Sequence, residues 1–188
     1  MGKQYDVIDG RLREFIEAQP VFFVATAPDG PGGHVNLSPK GGSGALRLLD
    51  ERTLAYLDYT GSGAETVAHL RQNGRITVMW CAFQGPPNIV RVHGRGEPVF
   101  PADDRFDGLV AAFGAVPTLG VRSVIRVEAD RISDSCGYGV PFMEYTGDRP
   151  TMQQWAENRG PAKLAAYQEQ KNSASLDGLP ALPGPFTG

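Results

Sequence analysis

A chain of 188 residues, 41% hydrophobic and 21% charged, has the make-up of one soluble globular domain, or one domain with a tail, and is long enough to bury a sizeable core. A net charge of -3 without a basic cluster argues against a general nucleic-acid binder. Two cysteines, Cys81 and Cys136, are too few for a disulfide framework, three scattered histidines suggest no metal site, and no apolar run reaches membrane-spanning length, so the expected location is the cytoplasm.

The 24 glycines and 15 prolines punctuate many short segments, which suits a β-rich fold with tight turns. Ile8, Leu12, Phe15 and Ile16 recur at helical spacing, predicting an amphipathic helix over residues 7–18 with Asp6 or Asp9 as its cap and Pro20 as its stop. Val21 to Ala27 reads as a strand, the run from Pro28 to Gly33 as a turn, and His34 to Ser38 as the returning strand. In that second strand Val35 and Leu37 face one way, and His34, Asn36 and Ser38 the other. Pro39 cannot donate to a ladder, so the strand ends, bulges or lies at an edge there. The polar run Asn36, Ser38 and Lys40 beside Gly41-Gly42 reads either as a solvated turn or as a polar wall for a ligand.

Residues 45–49 and 54–59 form a further hairpin. Ser62 and Glu65 have the spacing of a capping box, so Ser62 is the expected N-cap of a short helix carrying Val67 and Leu70 and ended by Asn73-Gly74. Strands follow at 75–81 and 88–100. In the second of these, Ile89, Arg91, His93 and Arg95 share one face, which reads as a solvated outer face or an anion-lined one. A helix opening at Asp103 or Asp104, a strand at 123–127 reaching towards Ala129, a Gly-rich loop at 135–141 and two helices at 151–158 and 161–170 complete the ordered part. The domain is expected to span residues 1–172. The Pro/Gly-rich tail, 173–188, is expected to be extended or disordered from Asp177 onward.

The stretch from Leu54 to Trp80 organises the rest. A helix starting in Gly61-Ser62-Gly63 offers free backbone N–H groups to an anion, usually phosphate, and the glycines allow close approach. The same stretch also reads as a plain strand-to-helix turn. Glu65 in the first turn repels a phosphate, so an anion there needs a compensating cation, for which Lys40 is the candidate.

The order of these pieces resembles the pyridoxamine 5'-phosphate oxidase-like proteins, the FMN-binding split β-barrels, over roughly residues 10–130. The resemblance is carried by VNLSPKGG at 35–42, LAYLDYTGSGAETVAHLRQNGRITVMW at 54–80, IVRVHGRGEPV at 89–99 and the N-terminal helix leading into VFFVAT. SCGYGVPFMEY and WAENRGP are further similar to the pyridoxamine 5'-phosphate oxidase-related subgroup. The resemblance implies a mainly β fold with peripheral helices, FMN as cofactor, and a homodimer with the flavin at the subunit interface. Carried over by match, Lys40 falls on the family's flavin-contacting lysine, Tyr59 and Thr60 on its Tyr-Thr pair, and Arg91 on its Arg-Val-x-Gly strand with Asn88 as the polar neighbour; the expected cofactor-binding set is Asn36, Leu37, Ser38, Lys40, Tyr59, Thr60, Gly61, Ser62, Gly63, Thr66, Asn88 and Arg91.

This chain departs from the pattern where the family clamps the FMN phosphate with an Arg-Lys pair, since Glu65-Thr66 stands there. The resemblance then leaves the phosphate to the backbone of Gly61 to Gly63, the hydroxyls of Thr60, Ser62 and Thr66, and Lys40. The arginine- and histidine-bearing C-terminal segment that binds the oxidase substrate has no equivalent. The expected function is a flavin-dependent oxidoreductase of unknown substrate rather than a pyridoxamine phosphate oxidase. No catalytic residue stands out, since the flavin carries the chemistry. The alternatives are a deazaflavin-dependent reductase and a flavin- or haem-binding module without turnover, with His69 and His93 as the haem candidates.

Overall fold

A computed structural model describes residues 2–184 of the chain. The elements are β1 (Gln4–Tyr5), α1 (Gly10–Glu17), β2 (Val21–Thr26), β3 (Asn36–Gly41), β4 (Leu46–Leu48), β5 (Thr53–Tyr59), α2 (Glu65–Asn73), β6 (Arg75–Cys81), β7 (Ile89–Val99), α3 (Phe106–Ala111), β8 (Val121–Ser135) and α4 (Thr151–Asn172). The strands form one antiparallel sheet in the order β3-β2-β6-β7-β8-β5-β4, with β1 added to β8. The end strands β3 and β4 do not pair. The short connection 42–45 joins them, so the sheet curls on itself and leaves a split between its ends.

Alternation decides which side chains fill the curl. Phe22 and Val24 of β2, Ile76, Val78 and Trp80 of β6, Val90 and Val92 of β7 and Ile125, Val127 and Ile132 of β8 are buried in one cluster. Phe22 meets Tyr56 edge-on at 5.4 Å between ring centroids, which fixes β2 against β5 across the interior. One end is sealed by α1 through Leu12 and Ile16, with Ile8 just ahead of it; each such side chain contributes about 1.5–3 kcal/mol by leaving water. Asp9 rather than Asp6 caps this helix, its Oδ1 accepting from Leu12 N–H at 2.8 Å. On the outer face of β5 and β8, Phe113 just after α3 joins Ala55, Leu57, Val99 and Val124 in a smaller cluster.

The two C-terminal helices are found as expected: α4 is broken at non-helical Gly160 (φ 69°, ψ 169°), and Pro161 opens its second half. Two expectations need correction. First, β8 runs on to Ser135, well past Ala129, because β5, β7 and β1 all bond along it. Second, the tail is not free over its described length: Ala181 and Leu182 are buried in the main core, and Arg71 donates to the Ala181 carbonyl. Residues 185–188 of that tail lie outside the described residues. Pro39 lies within β3 opposite Phe23, which an edge strand tolerates.

Candidate functional site

The pairing of β3 with β2 sets the polarity of the site. Asn36, Ser38 and Lys40 stand opposite Thr26, Val24 and Phe22 and so project to the inner side of the sheet. Val35 and Leu37 point the other way and are 74% and 65% exposed. The inward polar groups find partners at once. Asn36 Nδ2 donates to Thr66 Oγ1 at 3.0 Å, Ser38 Oγ donates to Asn36 Oδ1 at 3.0 Å, and Thr26 Oγ1 meets His69 Nδ1 at 3.0 Å. A hydrogen-bonded seam therefore joins β3 to the first turn of α2.

Beneath it lies a buried charge cluster that sequence reasoning missed. The Asp58 carboxylate takes Arg122 Nε at 2.7 Å and the Ser123 hydroxyl at 3.2 Å, with Lys40 Nζ at 3.6 Å. Burial opposes ionisation of Asp58, but the Arg122 guanidinium, then Lys40 and the hydrogen bonds, outweigh it and hold the carboxyl below its ordinary value. Arg122 also donates Nη1 to the Gly63 carbonyl at 2.8 Å, so the cluster reaches the glycine turn. The signal for it was a lone Asp in the apolar run LAYLDY and an Arg-Ser pair opening the strand SVIRV.

The turn itself is pinned from outside. Thr60 donates both its N–H (2.7 Å) and its hydroxyl (2.8 Å) to the Gly120 carbonyl, and the same hydroxyl accepts from Gln168 Nε2 at 2.8 Å. Asn172 Nδ2 donates to the Gly61 carbonyl at 3.0 Å, and the Tyr59 hydroxyl to the Pro117 carbonyl at 2.6 Å. Gln168 and Asn172, both on α4, carried no local pattern that marked them.

The expected capping box does not form. Ala64 is the N-cap of α2, no side chain caps it, and Ser62 is exposed. Glu65, now the first helical residue, folds its carboxylate back over Gly63; a Cβ on that glycine would sit 2.3 Å from Oε2. Its Oε1 accepts from Leu176 N–H of the C-terminal segment at 3.2 Å. The Asn73-Gly74 stop is as expected, with Gly74 left-handed (φ 70°) and donating to the Leu70 carbonyl.

Of the expected site residues, the structure thus gathers Asn36, Ser38, Lys40, Thr60, Gly61, Ser62, Gly63 and Thr66 around the start of α2, with Tyr59 at its edge. Leu37 faces outward. Asn88 and Arg91 lie apart, because β2 and β6 stand between β7 and β3, and Arg91 instead donates to Ser135 Oγ at 3.0 Å. Asn88 packs its backbone against Gly137 (φ 64°), where a Cβ would come within 2.8 Å of it. The SCGYGVP stretch therefore braces the entry to β7.

A cavity of about 790 Å³ opens at the other end of β2 and β3, within the size range of small-molecule sites. Phe22, Trp80 and Phe83 line it, the glycine connection from Gly41 to Gly44 forms a wall, and Met143 and Tyr145 form another. Met143 N–H on the Phe83 carbonyl (3.0 Å) and Ser43 N–H on Asp148 Oδ2 (2.9 Å) hold these walls together. Arg47 also lines it but donates to the Leu46 and Phe113 carbonyls.

Comparison with known proteins bears on this arrangement. Residues 8–136 match the model of the pyridoxamine 5'-phosphate oxidase family. The chain is 41% identical over 194 aligned positions to the pyridoxamine 5'-phosphate oxidase family protein ustO of Aspergillus flavus, covering 95% of this chain and 77% of that one. Two crystal structures of Group A Streptococcus HupZ share the fold at 22% identity, with TM-scores of 0.55 and 0.52. They cover 68% and 66% of this chain and 99% and 91% of their own.

Proposed function

The chain belongs to the pyridoxamine 5'-phosphate oxidase family, and on that footing we propose that it is an FMN-binding, flavin-dependent oxidoreductase that works as a cytoplasmic homodimer. The observation that carries the reading is the inverted polarity of β3. It turns Asn36, Ser38 and Lys40 inward at the head of α2, where the family pattern has its flavin contacts. These groups suit the polar rim of a flavin ring: a cation for its electron-rich end and an amide and a hydroxyl for its edge. Bound flavin would supply hydride or electron transfer. The chain supplies orientation, and the cavity beside Gly41 to Gly44 receives the substrate.

The phosphate end fits less well. In the arrangement described, Glu65 lies over Gly63, the hydroxyls of Thr60 and Thr66 are engaged within the chain, and Lys40 faces Asp58. A deazaflavin is the second reading, favoured by the loss of the two-cation clamp at Glu65-Thr66. The apolar residues left outside on one chain, Val35 and Leu37 with Tyr138 and Phe142, support a second copy as the partner that covers them.

The test is a visible absorption spectrum of the protein as purified, with mass analysis of the ligand released by heat and light scattering for the assembly. A flavin spectrum, released FMN and a dimer are expected. A featureless spectrum that stays featureless after FMN is added would refute the FMN reading, and a monomer holding stoichiometric FMN would refute the shared site.

A further inference from the structure

The C-terminal segment completes the seam at α2. It leaves α4 at Asn172, which is wholly buried, and returns to the core at Ala181 and Leu182. The stems are paired: Ala181 N–H donates to the Ser173 carbonyl at 2.9 Å, Leu182 N–H to the Asn172 carbonyl at 3.0 Å, and Ala174 bridges Pro180. Between them Ser175 to Leu179 make a tight loop, closed by Ser175 N–H on the Leu179 carbonyl at 2.9 Å and turned by left-handed Gly178 (φ 74°).

The tip of this loop is held differently from its stems. Leu176 N–H donates to Glu65, and Asp177 accepts from His34 through the backbone N–H (2.9 Å) and ring Nδ1 (2.7 Å). The Leu176 side chain is 71% exposed, whereas Ser175 is buried and Leu179 packs against the main core, so the loop is seated on either side of a tip that has no apolar seat of its own at Leu176. Hydrogen bonds at the surface are individually weak, and the tip can rise while its stems stay anchored.

The charge of the seam opposes a phosphate. A carboxylate in the first turn already occupies the place where the helix dipole favours an anion, and Asp177 adds a second close by. The cations nearby are committed, Lys40 and Arg122 to Asp58. Two buried polar atoms bordering the seam have no hydrogen-bond partner among the described residues: Asn172 Oδ1, whose amide nitrogen reaches Gly61, and His69 Nε2, whose ring feels the charges of Asp177 and Glu65. A wholly closed structural contact would have satisfied them.

We propose that residues 173–180 form a strap whose tip shuts the start of α2 to phosphate, latched by Glu65 on Leu176 and Asp177 on His34, and that a phosphate-bearing ligand binds there by lifting the tip while the stems stay anchored. The acidic residue standing where the family has a cation is then the strap's anchor. For the identity of the ligand this rests on the flavin reading above.

The experiment uses the full chain with three probes: FMN, riboflavin, which lacks the phosphate, and inorganic phosphate. Amide hydrogen exchange at Leu176 reports the strap, and quenching of flavin fluorescence reports binding. FMN is expected to speed exchange at Leu176, and Asp177→Asn and Glu65→Gln are each expected to tighten FMN by about tenfold while leaving riboflavin unchanged. The proposal is overturned when FMN binds with no change at Leu176, or when the variants change both flavins alike. When neither flavin binds any of the proteins, the flavin reading fails by itself, and inorganic phosphate decides the strap: faster exchange at Leu176 upholds it and unchanged exchange overturns it.

Discussion

Replacing Arg122 by Met tests the buried cluster that supports the glycine turn. The variant removes the guanidinium from Asp58, whose side chain has no exposure, leaving that carboxylate with the Ser123 hydroxyl and Lys40 Nζ at 3.6 Å. Removing one partner of a buried ion pair costs roughly 3–5 kcal/mol, because the other charge stays desolvated. The Gly63 carbonyl loses its donor as well, which adds about 1 kcal/mol. A total of about 5 kcal/mol lowers the melting temperature of a domain this size by roughly 10–20 °C. Urea denaturation should show the same loss as a shift of midpoint at constant slope. Removing both charges, Arg122→Met with Asp58→Leu, should recover most of the stability, because Lys40 is partly exposed and can turn to solvent. The sign with pH follows from the depressed Asp58 carboxyl: its contribution is complete above the unfolded value near about 4 and is lost as pH falls through the lower folded value. The double variant should lack that part of the acid loss. A single variant costing under about 1 kcal/mol, or a double variant as unstable as the sum of its parts, refutes the reasoning.

Burial lowers the affinity of His69 for a proton, and burial followed by Arg131 and Arg91 lowers that of His93. The unfolded chain therefore takes these protons first. Stability should be full above about pH 6.5 and fall as pH drops towards the folded values, and thermal melts that stay flat between about pH 7.5 and 5.5 would count against it. Gly94 sits at the bulge where β7 crosses β8, and a Cβ there would stand 2.0 Å from the Glu128 carbonyl oxygen. Gly94→Ala should cost at least about 2 kcal/mol in denaturant, because backbone rather than a flexible side chain must move. Cys136 is exposed, whereas burial pushes the Cys81 thiol up, so a thiol reagent should label Cys136 first in the native protein and reach Cys81 on unfolding. Lys40→Ala should weaken flavin binding by at least about tenfold, read by fluorescence titration; full occupancy in the variant would remove Lys40 from the site.

What could be read from the sequence follows the range of the forces involved. Helix α1 and strands β2, β6 and β7 were legible because their burial pattern is local: Leu12 and Ile16 one turn apart, Val90 and Val92 on one face. The length of β8 was not, since its far half is ordered by β7 and β1, strands distant in sequence. The capping box failed for a related reason. Ser62 and Glu65 have the right spacing, but Glu65 is drawn to Leu176, more than a hundred residues on, and the turn ahead of it is held by Arg122 and Asn172. The tail was misjudged because composition counts its prolines and glycines, whereas Ala181 and Leu182 in the core, with the Arg71 bond and the paired stems, dock it.

The candidate site shows the same division within a single strand. Alternation in VNLSPK correctly separated Val35 and Leu37 from Asn36 and Ser38, but it could not say which set faces inward. Hydrophobicity alone would have buried the valine and leucine. Pairing with Phe22, Val24 and Thr26 reverses that choice, and the reversal holds because Thr66 and Asp58 offer partners to Asn36 and Lys40. The cost is an apolar face of β3 left to water on an edge strand, which invites another chain. The feature that creates the polar wall thus also creates the sticky edge. Cofactor binding and dimer formation are therefore expected to fail together when β3 is disturbed: Leu37→Lys, which touches no inward group, should yield a monomer by light scattering with weakened flavin binding. A monomeric Leu37→Lys protein with undiminished flavin affinity would separate the two and place the flavin wholly within one chain.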